Sequence, residues 1–212
     1  MADTEPSEDG TEPAATSGWR WGLGLLAAIA FLLGAAIYAG HQNGGSRPAD
    51  SSDLQIGGPF TLVAPDGRPF TQANLAGKPY AIYFGFIRCP DVCPTSLARL
   101  ARLRHKLGAD GSKFAIVFVS VDPGHDKPAD VGRYAALFGT PIIGLTGSEA
   151  QLATIEKAWG VYVQKVPQPG GDYTIDHSAV TYLMTRDGRF SALIDHDEPD
   201  DAALAKLRAV IG

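Results

Sequence analysis

The chain has 212 residues, 45% hydrophobic and 19% charged, enough for one sizeable globular domain and an apolar appendage. The net charge of −5 is explained by Asp3, Glu5, Glu8, Asp9 and Glu12, since residues 1–18 carry no Lys or Arg. The remainder is balanced, which excludes a basic nucleic-acid footprint, and two cysteines exclude a disulfide-built scaffold.

Residues 1–18 are acidic, rich in Pro, Ser, Thr and Gly, and poor in large apolar side chains. Such a segment cannot bury enough surface to offset the entropy of ordering, and it reads as a disordered tail. The run Trp21 to Gly40, "WGLGLLAAIAFLLGAAIYAG", is twenty residues without a charge. As a helix it would reach about 30 Å, the thickness of a bilayer core. Trp19, Trp21 and Tyr38 stand at its ends, where amphipathic rings favour the interface, so residues 19–40 read as one transmembrane anchor. A cleaved signal peptide fits less well, because the leader is acidic and the apolar run is long. Arg20 and Arg47 flank the run on opposite sides and leave its orientation almost undetermined. Residues 41–55, "HQNGGSRPADSSDLQ", form a polar linker.

The globular domain begins at Ile56. "PFTLVAPDGRPFT" predicts two short strands around Pro65-Asp66-Gly67. "PYAIYFGFI" (79–87) and "KFAIVFVSV" (113–121) are nearly unbroken apolar runs, as expected of strands covered on both faces. Between them Leu97, Leu100, Leu103 and Leu107 recur as one helical stripe, with Arg99, Arg102, Arg104 and Lys106 off it. This is a β-α-β unit with a parallel pair. Pro128–Phe138 and Ser148–Trp159 predict further helices, with the short strand "PIIGL" between them. "AVTYLMTRDGRFSALI" predicts a hairpin turning at Asp187-Gly188, and residues 200–211 a closing helix. The order predicts a thioredoxin-like α/β fold, a mixed sheet flanked by helices.

Both cysteines lie in "CPDVCPTSL", with Cys89 ending the first apolar strand and Cys93 opening the helix. Pro94 then falls at the first helical position. A helix N-terminus favours the thiolate, which serves both redox exchange and metal ligation. The C-x-x-x-C spacing is one residue longer than that of thioredoxin-type exchangers, and a disulfide remains sterically open. Two sulfurs are too few for a cluster or a closed structural zinc site, but Cu(I) accepts two or three soft ligands. One imidazole would complete a trigonal site. His41 abuts the apolar run, and His105 belongs to the last turn of the Leu-stripe helix. His125 lies in a surface turn and His196 in the acidic run "DHDEPDD". His177, in "YTIDHSAV", sits at the mouth of a strand after a Gly/Pro-rich loop. On residue chemistry alone it is equally a ligand or an ordinary loop histidine.

Together "YFGFIRCPDVCPTSL", "VSVDPGHDKP", "IIGLTGS" and "YTIDHSAVTYLMTRDGRF" resemble the Sco/SenC family of membrane-tethered, thioredoxin-like copper proteins. The resemblance covers residues 56–212 and the single N-terminal anchor. It implies a copper site of Cys89, Cys93 and His177 that binds Cu(I) and Cu(II). It also implies a domain in the periplasm or the intermembrane space, with the N-terminus inside. The implied activity is copper delivery to the binuclear centre of cytochrome c oxidase subunit II. Alternatives are a thiol–disulfide oxidoreductase using a Cys89–Cys93 disulfide on a partner's thiols, or a redox sensor. Asp122 resembles an acidic family position near the metal and is expected to act behind the ligands. Asp91 and Asp176 read as turn and capping residues. Ile87 stands where Thr is common in the family, and the turn is "DPGHD" where "DPERD" is usual.

Overall fold

The computed structural model describes Gly34 and residues 56–212. The expected acidic tail (1–18), anchor (19–40) and linker (41–55) fall, apart from Gly34, outside the described residues. Among the described residues no helix is long and apolar enough to cross a membrane.

The two apolar runs form the centre of the molecule. Strands β3 (Tyr80–Gly85) and β4 (Ala115–Ser120) are buried along their whole length. They pair in parallel from Tyr80–Ala115 to Gly85–Ser120. Strand β5 (Ile142–Leu145) extends the sheet in parallel beside β4. Strands β8 (Thr181–Met184) and β9 (Phe190–Ile194) extend it antiparallel from the other edge of β3, giving the order β5-β4-β3-β8-β9. The β8–β9 turn closes at Gly188, whose φ of +76° suits a residue without Cβ. Two antiparallel ribbons lie outside this sheet, β1 (Thr61–Val63) with β2 (Pro69–Thr71), and β6 (Val163–Pro167) with β7 (Tyr173–His177).

Alternate residues of β3 serve different layers. Tyr80 and Phe84 meet Trp159 at the end of helix α3 (Glu149–Trp159), which is fully buried. Tyr83 points the other way, toward helix α1 (Val92–Lys106). The predicted leucine stripe of α1 is its buried face: Leu97, Leu100 and Leu103 are at most 2% exposed. Helix α4 (Asp200–Ile211) lies beside α1, joined to it by Arg99–Asp200 and Lys106–Asp200 ion pairs. Helix α2 (Pro128–Ala135) continues as a 3-10 turn to Phe138 and packs on β5. It starts on a proline, which sacrifices no intrahelical hydrogen bond there.

Two expectations need correction. The loop expected ahead of His177 contains a strand ribbon, and His177 is the last residue of β7 rather than the mouth of a core strand. Helix α1 starts at Val92 with Asp91 as its cap, so Pro94 is the third helical residue. Arg99 and Arg104 lie off the apolar stripe, as expected, and are tied down. Arg99 donates to the Asp195 and Glu198 carbonyls, and Arg104 to that of Phe114.

Candidate metal centre

The site forms where β3 ends and α1 begins, at the carboxyl end of the central parallel strands, where open α/β sheets place their ligands. After Gly85 the chain turns through Phe86, Ile87 and Arg88, and the Cys89 amide donates to the Phe86 carbonyl at 3.4 Å. This loop is pinned from below. Asp126, 3% exposed, accepts from the Ile87 amide at 2.9 Å and from Ser120 Oγ at 2.6 Å. Burial raises the Asp126 carboxyl, while both donors oppose the shift.

The two sulfurs share one end of the helix. Cys89 Sγ accepts from the Cys93 amide at 3.4 Å, so it takes one of the unpaired N–H groups of the first turn. Both cysteines are free; Cys93 is fully buried and Cys89 partly exposed. The helix start was expected to lower the thiols. For Cys93 burial prevails instead and pushes the thiol well above its ordinary value.

The β6–β7 ribbon brings His177 to the sulfurs. Its Nε2 lies 3.3 Å from Cys93 Sγ, and its Nδ1 lies 3.0 Å from the Ser178 carbonyl oxygen. A carbonyl only accepts, so Nδ1 carries the ring proton and the Nε2 lone pair faces the thiol. Desolvation lowers the imidazole below its usual value and keeps it neutral, outweighing the Ser178 hydrogen bond and Asp176. Tyr83 and Phe86 present ring edges to it at centroid distances of 6.1 and 5.9 Å. The buried Tyr83 hydroxyl has no hydrogen-bond partner among the described residues.

The ligating atoms of Cys89, Cys93 and His177 all lie within 4.8 Å of one another. A metal–sulfur bond is about 2.3 Å in zinc sites, which puts the ligand atoms of a trigonal centre roughly 4 Å apart. The spacing therefore fits one ion, and two thiols with a neutral imidazole suit a soft one. A cleft of about 1250 Å³ lies at the opposite end of β3 and β4, lined by Lys78, Arg102, His105 and Phe114. It contains no cysteine, so the larger hollow and the ligating chemistry are separate.

The remaining histidines are placed differently from one another. His105 is exposed, as expected. His196 was expected in solvent, yet its Nδ1 lies 3.1 Å from Ser96 Oγ. His125 lies in an exposed turn, as expected, and there joins a network with Arg88, Asp122, Asp172 and Tyr173. Asp122, fully buried, accepts from Tyr173 Oη at 2.6 Å. Donating to Asp122 and, above all, desolvation push the Tyr173 phenol up to about 12. Arg88 donates to Asp172 at 2.8 Å and to the Tyr173 carbonyl at 3.1 Å. Arg88, Tyr173 and Asp172 escaped the sequence reading. The one usable signal was the turn Asp122-Pro-Gly-His-Asp126, which puts three titratable groups on one bend.

A thioredoxin-like α/β domain that gathers two free thiols and one imidazole at the end of its central strand belongs to the thiol- and soft-metal-handling proteins. The sequence pattern of the SCO1/SenC family matches residues 48–212. The chain belongs to that family. It is 41% identical over 158 residues to Protein SCO1 homolog 1, mitochondrial, of Arabidopsis thaliana, covering 72% of this chain and 47% of that protein. The chain thus spans about half the length of the first curated relatives it matches. The solved structure of Bradyrhizobium japonicum ScoI with copper bound is 42% identical. It superposes with a TM-score of 0.67 and covers 73% of this chain and 99% of that one. A structure of BsSco, described as having a disulfide switch and as a member of the Sco family of cytochrome c oxidase assembly proteins, is 27% identical. Its TM-score is 0.58, over 74% of this chain and 95% of that one.

Proposed function

We propose that the chain is a membrane-tethered copper metallochaperone of cytochrome c oxidase assembly, with copper as its cargo and Cys89, Cys93 and His177 as the ligands. The observation that carries this reading is the convergence of those three ligating atoms within 4.8 Å. The copper-bound Bradyrhizobium ScoI and the assembly role of the Sco family named with BsSco support it. Residues 19–40 would be the anchor and 41–55 the linker, holding the domain 56–212 in the periplasm or the intermembrane space. A mitochondrial protein and a bacterial one stand among its relatives, in keeping with either compartment. The acceptor would be the binuclear copper centre of oxidase subunit II. Tethering keeps donor and acceptor in one membrane and raises their effective concentration.

The residues divide the work by exposure. The Ser178 carbonyl fixes the imidazole tautomer, so Nε2 is ready as a donor. Taking up copper replaces the proton that Cys93 directs toward Nε2, and proton release makes uptake stronger at higher pH. Cys89 is the more accessible sulfur, so an incoming acceptor thiolate exchanges there first and Cys93 lets go last.

A second reading, a thiol–disulfide oxidoreductase, is favoured by the free, adjacent thiols and by the switch reported for BsSco. The two separate at His177. The purified full chain, reduced and kept anaerobic, is titrated with Cu(I) against a chromophoric chelator, alongside His177→Ala. One equivalent should bind, and the variant should hold it at least roughly ten-fold more weakly. Equal affinity in the two proteins would leave the oxidoreductase reading standing instead.

A further inference from the structure

His177 belongs to a two-stranded ribbon that shares no strand pairing with the central sheet. Isolated hairpins are marginal, so the ribbon's position depends on side-chain fastenings. The buried Ile175 is one of them. The polar fastenings gather at the Tyr173 end. Tyr173 Oη donates to the buried Asp122 at 2.6 Å, at the end of β4. Arg88, one residue before Cys89, bridges Asp172 and the Tyr173 carbonyl. The Tyr173 ring lies against His125, with centroids 4.8 Å apart, and Lys165 Nζ lies 5.0 Å from it on the ribbon's own side. Beside the Tyr173 ring Lys165 also meets Glu149 at 3.3 Å in an exposed pair, and such pairs hold little.

Gly124 makes this contact possible. A Cβ built there would stand 2.5 Å from Tyr173 Oη and 3.5 Å from Asp122 Oδ1. The "DPGHD" turn leaves room for the phenol, where a larger residue would displace it.

We propose that Tyr173, seated on Asp122 in the space left by Gly124, is a latch that holds the β6–β7 ribbon and so keeps His177 within coordinating reach of Cys89 and Cys93. Tyr173 and Asp122 are positioning residues, acting on the ion only through His177. The inference rests on the ligand set proposed above.

The test is a double-mutant cycle on the full chain. Cu(I) affinity is measured by chelator competition for the wild type, Tyr173→Phe, His177→Ala and the double variant. Tyr173→Phe keeps the ring and removes only the hydroxyl. It should weaken binding roughly ten-fold in the wild type, the scale of one charge-assisted hydrogen bond, and leave affinity unchanged in the His177→Ala background. Gly124→Ala, which crowds the phenol from the other wall, should repeat both results. Amide exchange across residues 173–178 of the metal-free protein should quicken in both variants. An equal loss in both backgrounds, no loss at all, or unaltered exchange would each overturn the latch. If His177→Ala binds like the wild type, the ligand assignment fails instead, and the exchange measurement still judges the latch.

Discussion

Gly85→Ala tests the site with one carbon atom. Gly85 ends β3 directly under Cys93, and a Cβ built on it would lie 2.8 Å from Cys93 Sγ, 3.1 Å from Tyr83 Cε1 and 3.3 Å from a Phe118 ring carbon. All three neighbours are buried and close-packed. The sulfur must retreat by about 0.6 Å to reach ordinary contact, and both rings have to give as well. Overpacking of this kind costs about 1–3 kcal/mol. For a domain of this size that lowers Tm by roughly 2–4 °C per kcal/mol. The same shift exceeds the tolerance of about 0.5 Å within which a ligand set works. The expected result is a Tm reduced by roughly 3–10 °C together with Cu(I) affinity reduced at least ten-fold, by thermal melt and chelator competition. If the variant melts and binds as the wild type does, Cys93 Sγ does not occupy the position described, and the geometry of the centre is wrong.

Burial holds the His177 imidazole low, so the unfolded chain takes up its proton first as the pH falls. That contribution to stability is complete above about pH 6.5 and is lost from there down to the lowered folded-state value, by at most about 1.4 kcal/mol per pH unit. Urea unfolding of the metal-free chain at about pH 7.5 and about pH 5.5 should show a larger loss for the wild type than for His177→Gln. Parallel losses would contradict a buried neutral imidazole. Arg99→Met should cost about 1–2 kcal/mol, because it removes the donor to the His196 and Glu198 carbonyls and the ion pair to Asp200. Copper affinity should stay within about three-fold of the wild type, since Arg99 fastens helices rather than ligands. A ten-fold drop there would show that α1 and the centre move together.

Long apolar runs and the Leu97–Leu100–Leu103 stripe are strong local signals, and the sheet and α1 follow from them. Cys89 and Cys93 were legible because three residues between them span one strand-to-helix turn. The β6–β7 ribbon was not. "VQKVPQPGGDYTIDH" mixes prolines, glycines and charges, and Ile175 is its one buried residue among the two strands. The strand character comes from pairing each half with the other. The Cys93 thiol was misread for a related reason: a helix N-terminus is visible in sequence, but the desolvation that outweighs it depends on Tyr83, Phe118 and Gly85 closing over the sulfur. His196 looked solvated because its partner, Ser96, is distant in the chain.

X-ray absorption at the copper edge of the anaerobically loaded full chain is the most direct test of the centre. Two sulfur scatterers and one imidazole nitrogen per copper are expected, with the nitrogen signal gone in His177→Ala. A copper bound by sulfur alone in the wild type, or an imidazole signal that survives the substitution, would contradict the assignment of His177.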